Sequence, residues 1–154
     1  GAVGGVGLEL ALACDLRLAT PGAVLSMPTV AEGRLPCWGG IQRLVRLAGL
    51  PTALSVLYGE ELSAEAAAAL GLVQLPVDDG DLEAEVERVV AQLLSLAPLA
   101  LELVKEGVYR GSEMSMRAGL ELEGDLNHLL QTTEDRREGL AAFVEKRDPD
   151  FTGE

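Results

Sequence analysis

Apolar positions recur at helical spacing through most of this sequence. Leu8, Ala11 and Leu12 follow a glycine-rich opening and predict a helix running to about Cys14. Asp15 to Ala19 alternates like a short strand, Thr20-Pro21-Gly22 reads as a turn, and Ala23 to Ser26 as a second strand. Residues 27–40 are rich in Pro and Gly and predict a loop that ends in Gly39-Gly40. Ile41, Leu44, Val45 and Ala48 mark the next helix, stopped by Gly49, and Pro51 opens another that Gly59 ends. Ser63 is the expected N-cap of a helix over 64–70, with Gly71 just past its end. After a brief extended piece from Leu72 to Val77, Leu82, Val86, Val89, Val90, Leu93 and Leu94 form an amphipathic stripe. Pro98 opens a helix to about Arg110, Ser115 caps one to about Gln131, and Thr133 caps the last. That helix has Glu134 and Asp135 at its positive end, and Lys146 and Arg147 at its negative end. Residues 1–40 therefore predict short helix, strands and glycine loops, and the rest predicts a string of helices. The apolar surface of the later helices predicts a partner surface.

The chain has 154 residues, 48% of them hydrophobic and 24% charged, which suits a packed globular structure. Its net charge of −13 is unevenly placed. Residues 1–59 carry three acids and four bases, whereas residues 60–154 carry 22 acids and eight bases. The excess of acids argues against a nucleic-acid partner, because phosphate contacts need clustered Lys and Arg. No run reaches the roughly 18 apolar residues of a membrane span. Cys14 and Cys37 match no metal-ligand spacing and are too few for a disulfide framework. With no basic-then-apolar leader at the start, the expected compartment is the cytosol. Cys14, at the end of an apolar helix, is expected to be buried. The acids at 78–87 read as a solvated helix start, so no metal is expected.

The glycine run and Glu9 are the first candidate chemistry. Glycines before an apolar helix allow close approach of another molecule, and the first N–H groups of that helix have no internal acceptor. Together they suit an oxyanion, and Glu9, about one turn on, could move protons beside a polarised carbonyl. The same pattern equally fits tight helix–strand packing with Glu9 as a dipole partner in the first turn. A dinucleotide fingerprint does not fit, since Leu10 stands where its last Gly should be.

The stretch Gly4-Gly5-Val6-Gly7-Leu8-Glu9-Leu10-Ala11-Leu12-Ala13-Cys14-Asp15-Leu16-Arg17 resembles the signature of the enoyl-CoA hydratase/isomerase (crotonase) family. Gly33-Arg34-Leu35-Pro36 with Gly39-Gly40-Ile41-Gln42-Arg43-Leu44 is similar to the family's proline–glycine loop and following helix. Leu62-Ser63-Ala64-Glu65-Ala66 and Gly71-Leu72-Val73, then Arg136-Arg137-Glu138-Gly139 and Ala142-Phe143-Val144-Glu145-Lys146-Arg147, match further family stretches in order. The resemblance covers essentially the whole chain and corresponds to roughly the C-terminal three-fifths of a member.

It implies an α/β fold, a crotonase-like ββα spiral truncated at its N-terminal side over residues 1–97, with an all-helical C-terminal trimerisation and CoA-covering region over 98–154. It implies an acyl-CoA thioester as substrate, no cofactor beyond the coenzyme A that substrate carries, and a homotrimer or dimer of trimers. Family members hold the thioester oxygen with two backbone N–H groups. One belongs to the N-terminal half, and the other falls at Val6 beside Gly5, where Val replaces the usual Gly. Losing one such donor typically costs about 10²–10³ in rate, so the chain alone is expected to be a poor catalyst. Of the two hydratase glutamates, the first falls on Glu9 and the second on Thr29, which can orient a water but is no acid or base near neutral pH. Hydration is therefore in competition with isomerisation, hydrolysis or C–C cleavage by one carboxylate, and with a non-catalytic subunit. Glu32 is three residues on, at a spacing that argues against recruitment. Trp38 replaces a small family residue beside the acyl pocket, either as its wall or as plain packing. Phe143 and Lys146 match positions that meet the adenine and phosphate end of CoA, although Lys146 also suits a helix C-terminus.

Overall fold

The computed structural model describes residues 1–78 and 80–154, with Leu75 and Pro76 described by their backbone. The elements run β1 (Ala2–Gly4), α1 (Val6–Ala13), β2 (Leu18–Ala19), β3 (Val24–Ser26), a 3-10 turn (Pro28–Val30) and α2 (Gly40–Leu57). They continue through β4 (Leu62–Ser63), α3 (Ala64–Ala69), β5 (Leu75–Pro76), α4 (Leu82–Leu94), α5 (Pro98–Gly111), α6 (Met116–Leu130) and α7 (Glu134–Glu145). The chain packs as two compact units, residues 1–87 and 88–154. The division falls inside α4, and the boundary expected at 97/98 falls between α4 and α5.

The first unit is the α/β part. β1 pairs parallel with β3, β3 pairs antiparallel with β4, and β2 pairs parallel with β5. A parallel pair needs a crossover, and α1 provides it between β1 and β3. Gly5, at φ 53 and ψ −127, turns the chain from strand into helix in one residue, a conformation that side chains strongly disfavour. A Cβ on Gly4 would lie 2.8 Å from Ser26 Oγ, so the glycine lets β1 lie tight on β3. The core beneath gathers Leu8 and Leu12 from α1, Leu25 and Met27 around the end of β3, and Leu44 and Val56 from α2. Each such side chain contributes about 1.5–3 kcal/mol by leaving water.

Local signals set the element ends. Within α2, Gly49 takes φ 77 and ψ 166 and breaks the helix into two arms, as its place before Pro51 predicts. Ser63 Oγ accepts the Ala66 N–H at 3.2 Å, Ser115 Oγ the Ala118 N–H at 3.3 Å, and Thr133 Oγ1 the Arg136 N–H at 3.1 Å. Gly71 has the positive φ expected just past α3. Cys14 is exposed, not buried. Helix α1 stops at Ala13, Cys14 turns to extended backbone, and the Arg17 guanidinium bonds the Cys14 and Leu72 carbonyls at that corner. The polar wrap keeps the thiol at the surface. Of the acids at 78–87, Asp79 lies outside the described residues, and α4 has no buried residue.

In the second unit α5 packs on α6, where Gly107 leaves room for Leu126; a Cβ there would sit 3.4 Å from its Cδ1. The segment after α7 folds back on that helix. Buried Asp135 accepts the Thr152 and Gly153 N–H groups at 2.8 and 3.0 Å, and the Glu134 and Asp135 N–H groups donate to the Glu154 carbonyl at 2.7 and 3.2 Å. Those two N–H groups have no acceptor inside the helix, so the returning segment satisfies them. Helix α7 ends at Lys146, whose φ of 56 and ψ of 43 are left-handed and unusual for a residue with a side chain.

Candidate active site

Glu9 lies at the first turn of α1 and is 1% exposed. Its Oε2 accepts the Trp38 N–H at 2.7 Å and the Gly40 N–H at 2.9 Å. Gly40 is the first residue of α2, and the N-cap before it, Gly39, has no side chain to offer. Glu9 therefore caps α2 from a different helix, at the end where the backbone dipoles favour an anion. As a dipole partner it serves α2 as well as its own helix. Burying a carboxylate costs several kcal/mol, and each hydrogen bond to the charge returns roughly 1.5–3 kcal/mol. Among the described residues both bonds fall on Oε2 and none on Oε1. The approach demands glycine, because a Cβ on Gly40 would lie 2.7 Å from Glu9 Cγ and 3.0 Å from Oε2.

Thr29 sits in the middle of the 3-10 turn and is 4% exposed. Its carbonyl accepts the Glu32 and Arg34 N–H groups at 3.2 and 2.9 Å, which holds the turn. Its hydroxyl oxygen is buried with no hydrogen-bond partner among the described residues. An unpaired buried hydroxyl costs about 1–3 kcal/mol, so such a group is usually matched by a water or a ligand. Glu32 instead pairs with Arg34 on the exposed side of the turn.

The remaining sequence-predicted residues divide by role. The Gly5 N–H donates to the Ser26 carbonyl at 3.2 Å, so the sheet uses it. Val6 opens α1, where the first N–H groups lack helical acceptors, and its side chain is 56% exposed. Trp38 meets Glu9 through its backbone, while its indole is exposed. Phe143 and Lys146, in the second unit, are both exposed, Phe143 on α7 and Lys146 at its C-cap. Nothing local in the sequence gives Arg43 a role, yet its Nη1 donates to the Trp38 carbonyl at 2.7 Å. Its place four residues after Gly39, in the glycine–helix motif, is the only sequence signal for it.

The parallel β1–α1–β3 crossover, with its glycine-led helix and buried glutamate, is part of a crotonase-like fold, the class to which the matching solved structures assign the chain. An enoyl-CoA hydratase of known structure from Bacillus anthracis matches over 100% of this chain and 60% of its own, with a TM-score of 0.95 and 37% identity. The chain belongs to the enoyl-CoA hydratase/isomerase family, whose model matches residues 1–154. It is 43% identical over 157 residues to the human enoyl-CoA hydratase domain-containing protein 2, mitochondrial, covering 99% of this chain and 53% of that protein. It is 40% identical over 151 residues to the 2,3-dehydroadipyl-CoA hydratase of Escherichia coli, covering 97% of this chain and 59% of that protein. The chain thus spans about half the length of the curated relatives it matches. No helix among the described residues is long and apolar enough to cross a membrane.

Proposed function

We propose that this chain carries the proton-transfer side of an acyl-CoA site of the enoyl-CoA hydratase/isomerase kind, with Glu9 as acid and base. The observation that supports it is a buried carboxylate held through one oxygen by two backbone N–H groups, with the other oxygen left without a protein donor among the described residues. In hydration, Glu9 takes a proton from water as the water oxygen bonds the β-carbon of the enoyl thioester, and returns that proton to the α-carbon. The double bond is consumed and no redox change occurs. The Val6 N–H donates to the thioester oxygen, with Gly5 supplying the turn that presents it. The Thr29 hydroxyl holds the water, and Trp38 borders the acyl chain. Phe143 and Lys146 meet the adenine and phosphate end of the CoA that the substrate itself carries, so no separate cofactor is needed. A homotrimer or dimer of trimers is the proposed assembly, supported by Val104, Val108, Leu120 and Leu129, each 58–65% exposed. The proposed compartment is the cytosol, from the two unpaired cysteines and the sequence expectation above, although the human relative's name places that protein in mitochondria.

The test is the naturally produced protein mixed with crotonyl-CoA. Loss of the conjugated enoyl absorbance, reduced about 10²–10⁴-fold by Glu9→Gln, is the expected result. Equal behaviour of the two proteins overturns the role of Glu9. Thr29, in place of a second carboxylate, favours a second reading: a one-carboxylate isomerase, hydrolase or C–C lyase, or a subunit that binds without turnover. Calorimetric binding of butyryl-CoA with no loss of crotonyl-CoA overturns hydration and leaves the one-carboxylate enzyme and the binding subunit, which turnover of a non-conjugated 3-enoyl-CoA distinguishes for the isomerase.

A further inference from the structure

The segment from Cys37 to Gly40 is held on both sides. On one side Glu9 Oε2 receives the Trp38 and Gly40 N–H groups. On the other, Arg43 Nη1 donates to the Trp38 carbonyl at 2.7 Å. That carbonyl belongs to the peptide unit linking Trp38 to Gly39, which lies between the two N–H groups that grip Glu9. Fixing its plane restricts both. The guanidinium also lies hard against Gly39, since a Cβ there would overlap Arg43 Nη1 and come within 3.1 Å of Cζ. Gly39 is at φ 92, so it supplies both the left-handed turn and the space for Arg43.

The position of Arg43 is otherwise unfavourable. It is the fourth residue of α2, near the end where the macrodipole disfavours a cation. A helix-stabilising pattern would put an acid there, as α3 and α7 do with Glu65 and with Glu134 and Asp135. A local rule broken beside a candidate site is a sign of a duty elsewhere.

We propose that Arg43 is a positioning residue for Glu9. Its bidentate-capable, planar guanidinium clamps the Trp38 carbonyl, the clamp sets the two backbone donors, and the donors aim the carboxylate so that Oε1 faces the exchanging proton. The inference rests on the acid–base reading of Glu9, and its test has one measurement that does not.

Arg43→Ala and Arg43→Lys are made in the naturally produced protein. Amide hydrogen exchange at Trp38 and Gly40 is read in the absence of any substrate, and kcat and KM are read with crotonyl-CoA. In Arg43→Ala, exchange at both amides should quicken by roughly tenfold while the core amides of α1 keep their protection. The same variant should lose about 10–100-fold in kcat with KM within about twofold, because misplacing a reacting group affects the chemical step. Arg43→Lys keeps one donor and should recover part of both losses. In Glu9→Gln, adding Arg43→Ala should cost little further, since the two act as one unit. Unchanged exchange at Trp38 and Gly40 overturns the clamp, whatever the kinetics. Quickened exchange with unchanged kcat, in an enzyme that Glu9→Gln disables, overturns the positioning role. If Glu9→Gln leaves turnover intact, or crotonyl-CoA is not hydrated, the hydration reading on which the kinetic expectation rests fails, and exchange alone decides the clamp.

Discussion

Gly40 and Glu9 form a matched pair whose fit is steric as well as polar. Gly40 is not in the left-handed region, so alanine there strains no dihedral; the whole penalty comes from the Cβ that would sit 2.7 Å from Glu9 Cγ. Gly40→Ala is expected to cost about 1–3 kcal/mol, read by chemical denaturation, and to displace the carboxylate that the backbone holds. Thr29 offers the opposite balance. Its hydroxyl is buried without a partner among the described residues. Thr29→Val keeps the shape and removes the unmatched polar atom, so stability should stay level or rise by up to about 1 kcal/mol. Turnover should nevertheless fall, because the hydroxyl is assigned to the water. A loss of stability instead would show that the hydroxyl already has a partner in the fold.

Among the elements, what was legible in the sequence is what local rules write. The Ser63, Ser115 and Thr133 caps and the Gly49 stop depend on neighbours within four residues, and each takes the expected place. Ser63→Ala is expected to cost about 1 kcal/mol, and Gly49→Ala about 1–3 kcal/mol because φ 77 with ψ 166 is nearly closed to side chains. Thermal unfolding followed by circular dichroism checks the ranking. The capping of α2 by Glu9 was not legible, because residues 9 and 40 are joined by tertiary packing and no periodicity links them. The same holds for Arg43, whose duty depends on where the Trp38 carbonyl points. Cys14 departs from its expected burial for a related reason: an apolar helix predicts a buried continuation, but the chain turns at Cys14, where the Arg17 guanidinium bonds its carbonyl. Family resemblance located Glu9 and Thr29 in the chain, while their surroundings came only from the fold.

Across the whole molecule the acidic excess is unequally shared, and that bears on acid stability. Residues 1–87 hold twelve acids against four bases, whereas residues 88–154 hold thirteen acids against eight bases, so the second unit has more bases to pair with its acids. Two of these pairs share Arg147 beside the returning segment: Arg147 meets Glu138 at 2.5 and 2.8 Å and Glu145 at 2.6 Å, and the Asp150 N–H donates to Glu138 at 2.8 Å. The Arg147 guanidinium, with the Asp150 N–H, holds the Glu138 carboxyl down at about 2, against an ordinary 4.5. Arg147 is pushed up in turn by the two carboxylates, but it stays charged throughout any working pH. A carboxyl depressed in the folded state contributes stability that is fully present above its unfolded value and is lost as pH falls through the folded one. The expected window therefore opens below about 4.5 and closes near 2. The isoelectric point of about 4.4 adds a separate effect: between pH 7 and that value, net repulsion falls and solubility with it. The two are separable by where they act. Protection of the Asp150 amide, taken relative to its intrinsic exchange rate at each pH, should fall between pH 4.5 and 2, ahead of that of the α5 and α6 amides, and Glu138→Gln should remove this pH dependence. An Asp150 amide that stays protected at pH 2 in the unsubstituted protein would show that Asp135, gripping Thr152 and Gly153, holds the segment without Glu138.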